Sequence, residues 1–594
     1  MISYQLHYQP GVRQWLEFQN PVASICAREP AEVLPALAEL QRRVDDDGLY
    51  GAGWVGYSAA RGLDSSLPAT VSAGEPLLQF SLYEKLDRLD ELPEKLPVLS
   101  PPAGCVRQSD HVMLDGFDQL AHAGAVRRIK AYLQSGDSYQ VNFTEQLSGS
   151  WVAGSDELFR RMVAAQPHSY AGYILEDDRA ICSVSPELFF ALNGNEIRCR
   201  PMKGTARRGR YRDEDLAAAA ALRASEKDQA ENLMIVDMIR NDLGRIARTG
   251  TVSVDRLFQI EQYPTVWQLT STISAQTDAT IAQIFAALFP CASIVGAPKR
   301  RTMEIIEELE HGPRGLYTGA IGWLLPGGEA QFNVAIRTAE VNHRGHLKYG
   351  VGGGIVWDSD PQQEAQECID KARVVAEPVA NGGDLLETLR WSPAEGYWLL
   401  EEHLRRLAAS AEYFNYPFDP ADAREVLRVA ATQFAAGQIT TGARRVRLTL
   451  AADGRLSLAH QPLVALASPA RVAIYLHPLS GDDVSRFHKS DLRLWLADIP
   501  APGDAGVDDW LFTNSVGEVT ESTIANLVVK HQGRWLTPPL NSGLLPGTYR
   551  QRLLDTGVIH EQAISEEVLR SCADIGLINS VRGWRSAILV AANT

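Results

Sequence analysis

The run Glu377-Pro378-Val379-Ala380-Asn381-Gly382-Gly383 divides this chain. Proline closes the helical pattern before it, the glycines loosen the backbone, and a strand-like run from Leu385 to Trp391 begins at once afterwards. A chain of 594 residues is too long for one core. The break therefore predicts two modules, 1–377 and 384–594, joined by a linker at 378–383. With 45% hydrophobic and 22% charged residues, each has enough apolar material for a sizeable core, and both are expected to be α/β (α+β). A second loose stretch, 64–108, is rich in Pro, Ser and acidic residues and precedes a predicted helix over 115–134.

Charge and cysteines narrow the class. A net charge of -16 argues against nucleic acid as the main partner, because counterion release needs clustered Lys and Arg. The seven cysteines (Cys26, Cys105, Cys182, Cys199, Cys291, Cys368, Cys572) are scattered and have no CxxC spacing, so neither a zinc site nor a disulfide framework is indicated. Met1 to Pro10 lacks a basic region followed by an apolar one, and no run of 18 apolar residues occurs. The expectation is a cytoplasmic protein with no membrane partner.

Chemistry in the first module centres on a hairpin. Val184 to Leu192 forms an outgoing strand carrying Glu187, and Glu196 to Lys203 a return strand ending in an amine. Asn193-Gly194 is a strong turn signal. Pairing Leu192 with Asn195 pairs Glu187 with Arg200 by counting back, which brings a carboxylate and the Lys203 amine to one open end. A surface ion pair is the ordinary reading of such a pair. The sharper one is a nucleophile with a proton carrier beside it.

Residues 226–247 read as a helix with Leu233, Val236, Ile239, Leu243 and Ile246 on one apolar stripe and Glu231 near its start. A second helix opens at Asp360-Pro361, with Ala365, Cys368, Ile369, Ala372 and Val375 inward and Glu364, Glu367 and Lys371 on an adjoining face. Glu231 and Glu367, one on each helix, suit a shared Mg²⁺; each taken alone reads as a solvated helix residue. Gly352-Gly353-Gly354 suits close ligand approach or merely a tight turn, and Arg337 is a forked carboxylate donor or a structural ion pair.

Taken in order, Ser135 to Asn142, Ser185-Pro186-Glu187, Arg200 to Thr205, Glu231 to Arg245, Gly296-Ala297-Pro298-Lys299, Ile336-Arg337-Thr338 and the triple glycine with Glu367 resemble the chorismate-utilising enzymes, best over 115–376. That resemblance implies largely antiparallel mixed sheets flanked by helices in two layers. It also implies that anthranilate synthases carry a small residue at the Lys203 position, whereas aminodeoxychorismate synthases carry lysine. There the amine attacks the chorismate ring, the C4 hydroxyl leaves, and ammonia displaces the enzyme. By the same analogy Glu187 shuttles protons, Glu231 and Glu367 hold Mg²⁺, and Thr205, Gly204, Arg337, Gly352, Gly353, Gly354 and Lys371 orient the substrate. Gln268 stands where anthranilate synthases usually show histidine, so it carries no proton-transfer role. No cysteine has a glutaminase setting, which leaves ammonia to a separate amidotransferase subunit.

The second module offers an amine, a carboxylate and a phosphate anchor, the three needs of pyridoxal phosphate (PLP). Lys489 ends an irregular stretch, Glu521 follows a turn at Asn514 to Gly517, and Gly547-Thr548 opens a helix whose free N–H groups suit a phosphate, with Arg406 on another helix. Singly these read as a surface lysine, a strand-edge charge and a helix-start glycine. Together and in order they resemble the fold-type IV PLP enzymes over 384–594, which implies a two-domain, barrel-like fold and a homodimer through this module. Asn579-Ser580 is the expected second phosphate contact, and Tyr549 departs from the commoner small residue. Aminodeoxychorismate lyase belongs to that family, and its substrate is the synthase product. The combined expectation is synthesis of 4-aminobenzoate from chorismate and ammonia; a D-amino-acid or branched-chain aminotransferase, or a scaffold without PLP, remains open for the second module.

Overall fold

A computed structural model describes residues 2–9, 12–71, 74–99, 112, 114–167, 169–376, 382–436, 442–481, 483–497 and 499–591. The break at 377–381 lies outside the described residues, as does Cys105. The chain separates into two compact units: Met1–Arg207 with Ala218–Val379, and Arg208–Ala217 with Ala380–Thr594. The second unit thus takes in ten residues from the middle of the first sequence module.

The first unit is built on two ten-stranded sheets. Every strand pairing in them among the described residues is antiparallel, in keeping with the largely antiparallel sheets expected above. The helix Gln119–Gln134 is capped by Asp118, whose side chain accepts from the N–H groups of Leu120 and Ala121. The helix Glu226–Gly244 starts at an Ser225 cap and buries Ile235, Val236, Ile239 and Leu243. Leu233 is 44% exposed, because the buried stripe runs through Asn232 and Ile235 instead, and Ile246 lies beyond the helix end. In the helix Pro361–Ala376 the inward face is Ala365, Cys368, Ala372 and Val375. Each fully buried aliphatic side chain on these faces contributes about 1.5–3 kcal/mol.

The hairpin turn sits one residue later than expected, which shifts the partner of each residue near the turn by two. Asn193 pairs with Glu196 and Leu192 with Ile197, so the turn is centred on Gly194-Asn195, with Gly194 at φ 58. An irregularity between Leu188 and Ala191 then sets Leu188, not Glu187, opposite Arg200. The return run is two strands broken at Pro201: Glu196–Arg200, and Met202–Arg207 with Lys203, which pairs with Val266–Gln276 at one edge of its sheet. Proline removes a ladder donor; beyond it the chain keeps Val266–Gln276, which Glu196–Arg200 also pairs with, and loses the outgoing strand.

The second unit holds a four-stranded antiparallel sheet beginning with Leu385–Ser392, and an eight-stranded sheet. In the latter, Val519–Ser522 pairs with both Asp509–Thr513 and Asn526–His531, which closes six of the strands into a barrel. Closure removes exposed edges. The barrel-like architecture expected for this half is present.

Candidate active sites

Lys203 and the triple glycine come from different sheets and meet over one cavity of about 290 Å³. The glycines lie inside the strand His346–Ile355, paired with Gln140–Ser150, and not in a turn. Their bareness has a steric cause. A Cβ at Gly354 would stand 2.5 Å from Lys203 Nζ, and one at Gly353 would stand 3.1 Å from Glu364 Oε2. One glycine makes room for the amine, the next for a carboxylate.

Two neighbours on one helix set the Lys203 strand. Asn232, fully buried, donates to the carbonyls of Lys203 and Leu269 and accepts from Ser271. Glu231, one residue earlier, faces the cavity with its Oε2 3.5 Å from Lys203 Nζ. Glu187 is 4% exposed, and burial pushes its carboxyl up to about 7 against the pull of the Ser293 hydroxyl, the Met202 N–H and Lys203. A carboxyl that titrates near 7 can both give and take a proton at neutral pH.

The rest of the cavity is polar. Glu367 accepts from Lys371 at 2.6 Å, and this ammonium holds its carboxyl below the ordinary range. Lys371 also donates to the Gly352 carbonyl, and its own carbonyl accepts from Arg337 at 2.6 Å. Arg337 adopts φ 51, uncommon for a side-chain-bearing residue, and lines the cavity. Thr205 donates to Gln268 at 3.1 Å, and a Cβ at Gly204, φ 98, would crowd Asp228. Among the described residues no three His, Cys, Asp or Glu side chains converge as a complete metal cage. Glu231 and Glu367 nonetheless open on the same cavity, and two hard carboxylates completed by substrate oxygens are what Mg²⁺ takes.

In the second unit Lys489 is fixed by its backbone, its carbonyl accepting from Leu386 N–H at 2.7 Å. Burial, helped by Arg406 and Arg493, brings its ammonium down to about 7. Glu521 is 3% exposed, with burial raising its carboxyl and Arg493 and Arg486 opposing that rise. Gly547 caps the helix Thr548–Asp555, and a Cβ there would lie 1.9 Å from Asn526 Oδ1, so the approach to these helix-start N–H groups is kept bare.

Arg406 is more committed than the sequence implied. Its Nε and Nη2 grip both oxygens of Glu387 and its Nη1 donates to the Pro546 carbonyl beside Gly547. Burial would push the Glu387 carboxyl up, but Arg406 and His403 outweigh it and hold it at about 2. His403 reaches Thr548 Oγ1 at 3.4 Å from its other ring nitrogen. A cation and a hydroxyl therefore stand at the helix start, as a phosphate ester requires. Asn579 accepts from the Val581 and Arg582 N–H groups through its amide oxygen and donates to the Ile524 carbonyl at 3.2 Å, while Ser580 reaches the Thr388 carbonyl at 3.5 Å.

Residues 7–377 match the family model of the chorismate binding enzymes. The chain belongs to that family. Residues 384–589 match the model of the class IV amino-transferases. The chain is 42% identical over 247 residues to aminodeoxychorismate synthase component 1 of Klebsiella aerogenes, covering 41% of this chain and 54% of that protein. It is 41% identical over 260 residues to the protein of the same name in Bacillus subtilis, covering 43% and 54%. It thus spans about half the length of these curated relatives. A crystal structure of anthranilate synthase component I from Streptococcus pneumoniae superposes with TM-score 0.53 at 24% identity over 63% of this chain and 94% of that one, a likeness of fold alone.

The sequence reading gave no role to Ser293 and Asn232 in the first unit or to His403 and Glu387 in the second, and left Glu364 as a helix-face carboxylate. Asn232 and Glu364 lie on expected helices and Glu387 on an expected strand, but nothing in those patterns marks a site, and only the fold brings these side chains to one. No helix among the described residues is long and apolar enough to cross a membrane.

Proposed function

We propose that the chain makes 4-aminobenzoate in two steps, joining chorismate and ammonia in the first unit and releasing pyruvate in the second. The observation that carries this reading is the Lys203 amine standing within one cavity with Glu187, Glu231, Glu367 and the bare face of Gly354. An enzyme that only positions free ammonia has no need of an amine there.

In the first step the Lys203 amine bonds to a ring carbon, the ring double bond shifts, and the C4 hydroxyl departs as water with a proton from Glu187. Ammonia then bonds at C4, the electron shift reverses, and the Lys203 amine leaves; Glu187 takes the proton that ammonia gives up. The product is 4-amino-4-deoxychorismate. Glu231 and Glu367 would hold Mg²⁺, which when bound neutralises a substrate carboxylate. Arg337 and Lys371 supply further positive charge at the cavity wall. The ammonia would come from glutamine through a separate amidotransferase, the partner that the words "component 1" suggest for the relatives.

In the second step Lys489, Glu521 and the Arg406, Gly547 and Thr548 group would hold PLP, which when bound withdraws electrons from the substrate nitrogen. Lys489, titrating near 7, moves the ring proton, and Glu521 keeps the pyridine nitrogen protonated. Loss of the enolpyruvyl group as pyruvate leaves the aromatic 4-aminobenzoate.

The deciding experiment incubates the full chain with chorismate, ammonium, Mg²⁺ and PLP and identifies the products. 4-Aminobenzoate with equimolar pyruvate is expected. Anthranilate would overturn the role of Lys203; accumulation of aminodeoxychorismate would overturn the second step. Amino exchange between an amino acid and a keto acid would instead make the second unit an aminotransferase, as its family description reads.

A further inference from the structure

Glu521 has a neighbour that no part of the reaction above employs. Arg493, four residues after Lys489, is largely buried, and its Nη2 stands 3.6 Å from Glu521 Oε1. Among the described residues, neither Nη2 nor Nε of Arg493 has a hydrogen-bond partner, nor does Glu521 Oε1. The other oxygen, Oε2, is met at 3.5 Å by the Asn526 amide. A guanidinium and a carboxylate oxygen thus face each other across a gap, each with hydrogen-bonding capacity to spare. Leaving such donors and acceptors unmade inside a protein is costly unless a ligand completes them.

The other charges around Glu521 are already engaged or face elsewhere. Arg486, fully buried, donates to Thr520 Oγ1 and the Ser480 carbonyl. Arg406 is bound to Glu387, and Lys489 is the amine assigned above to hold PLP and move the ring proton. The Leu545 N–H supports Glu521 from the segment before Gly547, and Asp483 faces the two arginines from the segment before Lys489. Arg493 is packed against the Trp495 ring, its Cζ 5.1 Å from the centroid, which leaves its polar edge toward Glu521.

We propose that Arg493 is a positioning residue of this site, acting on the cofactor only through Glu521, whose carboxylate it keeps charged and aimed at the pyridine nitrogen. The inference rests on the reading of this unit as a PLP site. A charged carboxylate is what a protonated pyridine nitrogen needs opposite it; a neutral carboxyl gives a far weaker contact.

The test measures PLP binding to the full-length chain by absorbance and fluorescence titration, with thermal unfolding run alongside to confirm folding. Arg493→Leu and the nearly isosteric but neutral Arg493→Gln are compared with the charge-keeping Arg493→Lys. Both neutral variants should bind PLP about tenfold more weakly at pH 7, the scale of one charge-assisted contact, and recover part of that loss at pH 9 as Glu521 ionises unaided. Arg493→Lys should keep most of the affinity. In a Glu521→Gln background, Arg493→Leu and Arg493→Gln should change nothing further. Unaltered affinity in the folded single variants, or an undiminished effect in the Glu521→Gln background, overturns the proposal. A wild-type chain that binds no PLP overturns the parent reading, and this inference with it.

Discussion

Ser293 donates its hydroxyl to Glu187 Oε1 at 2.6 Å, inside a pocket where the carboxylate is otherwise almost sealed from water. That bond favours the ionised form and opposes the burial that raises Glu187 to about 7. Ser293→Ala removes it. The Glu187 carboxyl then rises further, and because the first step needs it protonated, the alkaline limb of the pH profile for chorismate consumption moves up by roughly 0.5–1 unit, the shift that about 1 kcal/mol produces. Profiles of the two proteins measured between pH 5.5 and 9 check this; superimposable alkaline limbs would remove Glu187 from the proton transfers.

The same carboxyl makes a stability prediction. Its folded value, about 7, lies above the ordinary carboxylate range, so the folded state holds a proton that the unfolded chain has released. Below about pH 4 both states are protonated and nothing is lost. Between that point and pH 7 stability falls as pH rises, and above 7 the full penalty, on the order of 3 kcal/mol, is present. Glu187→Gln lacks this penalty. Its melting temperature should match wild type near pH 4.5 and exceed it increasingly up to pH 8, as a pH series of thermal scans in buffers without chorismate would show.

Gly354→Ala tests the junction of the two sheets. The added methyl carbon would sit 2.5 Å from Lys203 Nζ, and that side chain is the flexible party, so it is displaced and the strand is kept. Chorismate conversion should fall about 100-fold, the cost of moving a reacting group by an ångström, with little change in melting temperature. Equal activity in the variant would mean that the amine works from another position.

The helix start at Asp360 and the close approach at the triple glycine were legible because each rests on a local signal: a capping side chain before a proline, and glycines with no side chain to lose. The hairpin register was not. Asn193-Gly194 marks a turn, yet the pairing depends on which two residues occupy the loop, and Gly194-Asn195 gives the same strands a different offset. The break at Pro201 was visible as a proline, but the strand that both halves of the return run pair with, Val266–Gln276, lies over sixty residues away. Ser293, His403 and Glu387 belong to the same class, since their roles come from contacts across 106 and 16 residues with nothing periodic to announce them. The Arg406 reading shows the reverse: residue type pointed to an anion, and the anion it grips in this structure is Glu387 of its own chain.

Separate amines make separable activities. Lys203 lies 3.5 Å from Glu231 in the first unit, whereas Lys489 takes its low-lying ammonium from burial beside Arg406 and Arg493 in the second. Lys203→Ala should abolish 4-aminobenzoate formation from chorismate, by at least about 1,000-fold as expected for loss of a covalent nucleophile, and leave conversion of supplied aminodeoxychorismate within about twofold of wild type. Lys489→Ala should do the opposite: aminodeoxychorismate accumulates from chorismate, and the visible absorbance that PLP gives with the wild-type chain is missing. Intact-mass measurement after quenching with chorismate present, but no ammonium, should find the substrate-derived increment on wild type and Lys489→Ala and not on Lys203→Ala. If either folded variant lost both activities, the two sites could not be independent, and the assignment of one lysine to each unit would fail.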